Sequence, residues 1–323
     1  MKYPLRIALA VSALAGCCLV PASLFAATGE VTLSGSTWTG KVDGVTKYTG
    51  SSMGAAVNAC NAAMSSGTIN IRNSGTLSTQ IGLGSNRNVN GNGVSINNNL
   101  SGSSTALIRS NNTSNVGASN INMQGTSAWF GMYFSTCQTQ NFTGVNGQGG
   151  GISYRIDNCK GGWGSNFNFG SPNTSGSGGH GIETMGINGS SWSTVTSNDH
   201  TGGCGLLIQS FTQSASNHGT TVFATRACYG CGYAGFRTAN TNRNTTLTYD
   251  DATSCGRGYF SVSNSADCTI TRVNANNCTS HGAWIQSAYN THVSGGTITN
   301  CNPCSAISQS ISGAANTITV TCR

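Results

Sequence analysis

The chain is predicted to fold as an all-β, single-stranded right-handed parallel β-helix, a solenoid with a short N-terminal capping helix. Three observations predict it. Cys231, Cys255, Cys278 and Cys301 follow one another at 24, 23 and 23 residues. Short strand-like segments recur at matching places in that repeat. Only 7% of the residues are charged, while Gly, Ser, Thr and Asn dominate. Disorder pairs low hydrophobicity with high charge, and this composition lacks the charge. Uncharged polar residues with regularly spaced Ile, Val, Phe and Cys suit short strands joined by tight turns.

In chain order, the first element is a leader. Lys2 and Arg6 precede an apolar run from Ile7 to Ala27 that ends in small residues. This is the pattern of a secretory signal. Cleavage near Ala26 divides the chain into a signal peptide, 1–26, and one β-helical domain, 27–323. A second reading takes Leu14-Ala15-Gly16-Cys17 as a lipobox, which leaves a lipid on Cys17 and the protein on the outer surface. No later stretch is apolar enough to span a bilayer. Outside the leader twelve Cys remain, an even number suited to an oxidising compartment. Cys228-x-x-Cys231 and Cys301-x-x-Cys304 each have half of a zinc spacing, but no His follows at ligand distance. Disulfides or buried thiols are therefore expected rather than metal.

Ser51–Met64 carries Ala55, Ala56, Val57, Ala59, Cys60 and Met64, and is expected to be a helix closing the first rung. The main strand then recurs as Thr105–Ile108, Gly131–Phe134, Gly151–Tyr154, Gly181–Thr184, Gly205–Ile208, Gly235–Thr238, Tyr259–Val262 and Gly282–Ile285. Leucine-rich repeats share this period, but only five leucines lie between residues 100 and 323. Thr317–Val320 closes the other end. Stacked rungs place equal positions about 4.8 Å apart, so cysteines of one column form a ladder.

This pattern, over roughly residues 66–322, resembles the pectin-lyase-like superfamily of uronate-polysaccharide enzymes. The resemblance implies a polysaccharide groove along the outward face of the main strand. The Trp-Ile-Asp-His and Arg-x-Pro-x-x-Arg motifs of pectate lyases are absent, and Gly179-His180-Gly181 precedes Asp250-Asp251, the reverse of the polygalacturonase order. No family catalytic residue carries over.

Alternation along the strands places one outward column at Tyr133, Ser153, Glu183, Leu207, Arg237, Ser261 and Trp284. A second holds Arg109, Ser135, Arg155, Met185, Gln209, Ser263 and Gln286. Two long repeats, Gly151 to Gly181 and Gly205 to Gly235, flank Glu183. The first is expected to extrude a loop with Lys160, Trp163, Phe167 and Phe169, and the second holds His218 and Arg226. Tyr133, Arg155, Lys160, Trp163, Gln209 and Trp284 are the expected substrate contacts. Aromatic rings stack on pyranose faces, and Arg pairs with uronate carboxylates. Glu183, Arg237 and His180 are the catalytic candidates, with arginine as base a role the resemblance implies. His180 and His281 each precede a Gly where filling a turn is the competing role. Asp199-His200 and Asp250-Asp251 are placed at turns, and Arg257 outside the column.

The leading functional reading is a lyase that cuts an acidic, pectin-like polysaccharide by β-elimination. A glycoside hydrolase using Asp157 and Glu183, or a carbohydrate-binding solenoid without catalysis, are the alternatives. Calcium is the cofactor that would fit, bridging substrate to Asp157, Glu183 and Asp199. Arg155 and Lys160 could neutralise the substrate without it. Outside the leader, 13 Lys+Arg face 8 Asp+Glu without basic clusters, so the expected partner is an anionic polysaccharide and not nucleic acid. A monomer is expected.

Overall fold

The computed structural model of the chain describes residues 26–100, 102–124, 128–148, 152–157, 167–170, 173–175, 178–187, 190–192, 195–210, 220–222, 228–308, 311 and 313–323. Lys160, Trp163, His218 and Arg226 lie outside them.

The chain is a parallel β-helix. Three antiparallel strands, Ala27–Ser34, Thr37–Val42 and Val45–Gly50, open it, and the first also pairs in parallel with Gly67–Ile71. The helix follows at Met53–Ala63, with Ser52 as N-cap and its hydroxyl accepting from the Ala55 N–H at 3.2 Å. Met53, Ala56, Val57 and Cys60 are buried against the first rungs. Gly54 is required here, because any Cβ would collide with the Thr79 carbonyl.

Beyond the cap, one face is, among the described residues, a sheet of ten parallel strands, from Ile81–Gly82 through Ile182–Met185 and Ala234–Ala239 to Ser305–Ser308. A second sheet, of twenty strands among the described residues, carries the rest of each rung. Its stacks include 190–192, 220–222 and 245–247, and 196–198, 228–229 and 250–253. Along the ten-strand face Ile108, Met132, Ile182, Leu206, Phe236, Tyr259 and Ala283 share one inward column, each at most 1% exposed. A solenoid is held by such columns, because every rung buries its apolar residues only against its neighbours. The expected Lys160–Phe169 loop is corrected in part: Phe167–Gly170 is a strand paired with Gln140–Thr143.

The turn before the ten-strand face explains the cysteine period. Asp199, Gly230, Ser254, Asn277 and Asn300 all take positive φ, 55°, 69°, 55°, 52° and 52°. The next residues are His200, Cys231, Cys255, Cys278 and Cys301. Equivalent backbone bonds tie successive turns, such as Gly232 N–H to His200 O and Gly256 N–H to Cys231 O, both 2.8 Å. The left-handed turn folds the side chain of the following residue inward, giving the ladder a histidine at its foot. Disulfides join Cys228 to Cys231 and Cys304 to Cys322. The other described cysteines are free thiols, all buried except Cys301, so the even count does not describe a disulfide framework. Burial pushes the Cys204 and Cys255 thiols up to about 12.

Candidate functional site

The register of the ten-strand face revises both outward columns. One now runs Arg109, Tyr133, Arg155, Glu183, Leu207, Arg237, Phe260 and Trp284. Arg155 pairs directly with Glu183 instead of standing two residues along. Phe260, not Ser261, continues the column, since Phe236 opposes Tyr259 and so Gly258, not Tyr259, stands at the place of Gly235. Ser261 is fully buried. The neighbouring column holds Ser135, Asp157, Met185 and Gln209. Asp157 thus lies diagonally across one rung from Glu183.

Glu183 is only 5% exposed. A solvated surface carboxylate would not be built this way. Gln209 Nε2 donates to Glu183 Oε1 at 2.6 Å, and Asn240 Nδ2 donates to Gln209 Oε1 at 2.6 Å. The second bond fixes which end of the Gln209 amide faces the carboxylate, so Gln209 is a positioned donor. Asn240 is a residue the linear pattern passed over; it reaches the site because the turn after Ala239 takes φ 52°.

Upward from Glu183 the face becomes a cationic aromatic platform. Leu207 and Phe260 are each 2% exposed. Phe260 stacks on Trp284 at 4.8 Å, and His281 on Trp284 at 4.3 Å. The Arg237 guanidinium lies 4.9 Å from the Tyr233 ring centre and 5.6 Å from that of Phe260. Arg257 lies over Tyr233, Phe260 and Trp284 at 4.6, 4.8 and 5.2 Å. Arg257 is therefore part of this face, against expectation. The available signal was its place 24 residues before His281. Aromatic faces attract a guanidinium, so these rings hold Arg237 against the platform. Burial, then the charge of Arg257, holds the His281 imidazole below its ordinary 6.5. At the lower end Arg109 lies 4.9 Å over the Tyr133 ring.

The remaining candidates separate. His180 Nδ1 accepts from the Cys204 N–H at 2.9 Å, which leaves the neutral ring its proton on Nε2. Asp199 occupies a turn beside Gly230, away from the Glu183 strand, so the structure does not gather it with Glu183 as a calcium ligand. Asp250 belongs to the strand Asp250–Thr253 rather than to a turn, and points into the interior. Burial, then Asp251, pushes its carboxyl well above the usual carboxylate range.

No protein-family model matches the chain, and no curated protein matches it. Among solved structures it is similar to the A-module of the mannuronan C-5 epimerase AlgE4 of Azotobacter vinelandii, at 13% identity and a TM-score of 0.54, covering 84% of this chain and 94% of that one. The likeness is one of fold. The A-module of the mannuronan C-5 epimerase AlgE6 from the same organism follows at 13% identity and a TM-score of 0.41, covering 84% and 96%. The catalytic domain of a GH87 α-1,3-glucanase follows at 10% and 0.39, covering 79% and 57%. Among the described residues no helix is long and apolar enough to cross a membrane.

Proposed function

We propose that this chain is an exported enzyme that removes the C5 proton of a uronate residue in an anionic polysaccharide, and cleaves the polymer by β-elimination. The observation that carries the reading is the Gln209-held, nearly buried carboxylate of Glu183, set in the same column as two arginines and the aromatic platform. A sugar chain laid along the column meets Arg155 one rung below Glu183 and Arg237 two rungs above it. An arginine that pairs with the uronate carboxylate withdraws charge and acidifies the C5 proton. Glu183 takes that proton, and Arg237 is the clamp rather than the base. The Nε2–H of His180 donates a hydrogen bond to the leaving oxygen, which takes its proton from water. Trp284, the partly exposed ring of the platform, offers apolar surface to a neighbouring sugar ring, with the buried Phe260 packed behind it.

The similar AlgE4 module carries the name of a C-5 epimerase, and epimerisation begins with the same proton removal. Incubation with polygalacturonate, methylated pectin, alginate and neutral glycans, with and without a chelator, separates the outcomes. Ultraviolet absorbance of an unsaturated uronate supports elimination. Deuterium uptake at C5 from heavy water without unsaturation makes the protein an epimerase. New reducing ends without either make it a hydrolase using Asp157 and Glu183. Binding without turnover overturns the enzymatic reading. Loss of activity on chelation would add calcium to the site.

A further inference from the structure

Two arginines of the platform share the same rings and lack a counter-charge. Tyr233, Arg257 and His281 follow one another at 24-residue steps, beside the column of Arg237, Phe260 and Trp284. The Tyr233 and Phe260 ring centres lie 6.0 Å apart, and each guanidinium lies within 5.6 Å of both. Such rings attract a cation but do not neutralise it. Among the described residues, ion pairs join Arg72 to Glu30 and Arg243 to Asp267, and no carboxylate pairs with Arg237 or Arg257. Two like charges over one apolar floor repel each other, and an anion between them relieves that cost.

The hydrogen bonds point the same way. Nε of each arginine is buried without an acceptor. Arg257 Nη1 donates to the Tyr233 carbonyl at 3.3 Å, which pins the guanidinium to the platform. Both side chains are partly exposed, so donors remain for a ligand. The planar fork of arginine matches the paired oxygens of an oxyanion. The positive field is also felt one rung up: after burial, the charge of Arg257 disfavours the His281 cation.

We infer that Arg257 holds an anionic group on the sugar next to the reacting uronate, so that the substrate carries charge on neighbouring sugars. This rests on the reading that a sugar chain lies along the outward column. Arg237 is the clamp of the reacting uronate. Arg257 belongs to the next rung up, that of Tyr259 and Phe260, and lies 5.2 Å from the centre of the Trp284 ring, which takes the neighbouring sugar. A carboxylate and a sulfate ester offer Arg257 the same chemistry, a singly charged set of oxygens that accepts from its fork. A neutral neighbour leaves Arg257 without a partner, so the face discriminates against a polymer charged only at every second sugar.

Binding calorimetry in a Glu183→Gln background, which holds substrate without consuming it, tests this with three oligosaccharides of equal length. Hyaluronan carries a carboxylate on every second sugar, chondroitin 4-sulfate adds a sulfate ester to the sugar between, and oligogalacturonate carries a carboxylate on every sugar. Adding Arg257→Gln should weaken binding at least about tenfold on oligogalacturonate if the neighbour is a carboxylate, or on chondroitin sulfate if it is a sulfate ester. On hyaluronan the loss should stay below about twofold. Trp284→Ala should weaken all three by one common factor, because stacking does not read charge. Should Arg257→Gln fail to fold, Arg257→Lys, which keeps the charge without the fork, should lose at least about threefold on the same charged probe and nothing on hyaluronan. A loss equal on all three probes, or no loss on any, overturns the subsite and leaves the polysaccharide reading standing. Failure of the Glu183→Gln protein to bind any of the three overturns both.

Discussion

Glu183→Gln is the most informative perturbation of the outward face. The glutamine keeps an oxygen that accepts from Gln209 Nε2, now 2.6 Å from the carboxylate, and Asn240 still holds the Gln209 oxygen. What is lost is the negative charge and the basicity. A charge-assisted hydrogen bond becomes a neutral one, a loss of about 1 kcal/mol. Removing a charge from a position only 5% exposed recovers part of that through lower desolvation. Thermal stability should therefore move by no more than a few degrees. Turnover should behave differently. A residue that takes the C5 proton contributes about 10²- to 10⁴-fold, so kcat should fall at least about a hundredfold, or about 2.7 kcal/mol at 1.36 kcal/mol per decade. The assay is the initial rate of ultraviolet absorbance on the best polyuronate substrate, with a melting curve on the same preparation. A folded variant with near-wild-type turnover would refute the placement of the base. Asp157, diagonally across one rung from Glu183, would then be the next acid to test.

The arginines should divide by role. Arg237→Ala should lower kcat/KM at least about a hundredfold, as for loss of a group that stabilises developing charge, whereas Arg257→Ala, which stacks on the platform, should raise KM about tenfold with little change in kcat; kinetics on one substrate decide both, and equal effects would contradict the division. Cys278→Ser leaves a hydroxyl in a site 5% exposed beside the Cys301 sulfur and should destabilise by about 1–3 kcal/mol with specific activity intact, measured by melting and assay together. His281 should titrate below pH 6.5 by NMR, because burial and then Arg257 disfavour its cation. Its folded value lies below the unfolded one, so the folded chain binds fewer protons and this group lowers stability as pH falls through 6.5; above that the ring is neutral in both states and adds no pH dependence.

The parallel β-helix, its capping helix and the ladder position of Cys231, Cys255, Cys278 and Cys301 were legible in the sequence. Each follows from period, from the apolar face of Ser51–Met64, or from turn residues that repeat with the rung. Glu183 and Arg237 could be placed two steps apart in one column for the same reason. Register was not legible. Strand side chains alternate with a period of two, so a one-residue slip exchanges inside for outside. The offset of Tyr259 against Gly235 put Ser261 on the face that belongs to Phe260, and a two-residue offset moved Arg155 out of the column of Glu183. Hydrogen bonds between rungs 20 to 30 residues apart decide such offsets, and no local pattern records them. The same non-local stacking put Asp250 inside, laid Arg257 across the platform, and brought Cys255 to Cys228 and Cys231. The sequence by itself determined the scaffold, because every rung repeats the same local chemistry. Only the tertiary structure decided which side chains meet, because each meeting depends on how one rung sits on the next.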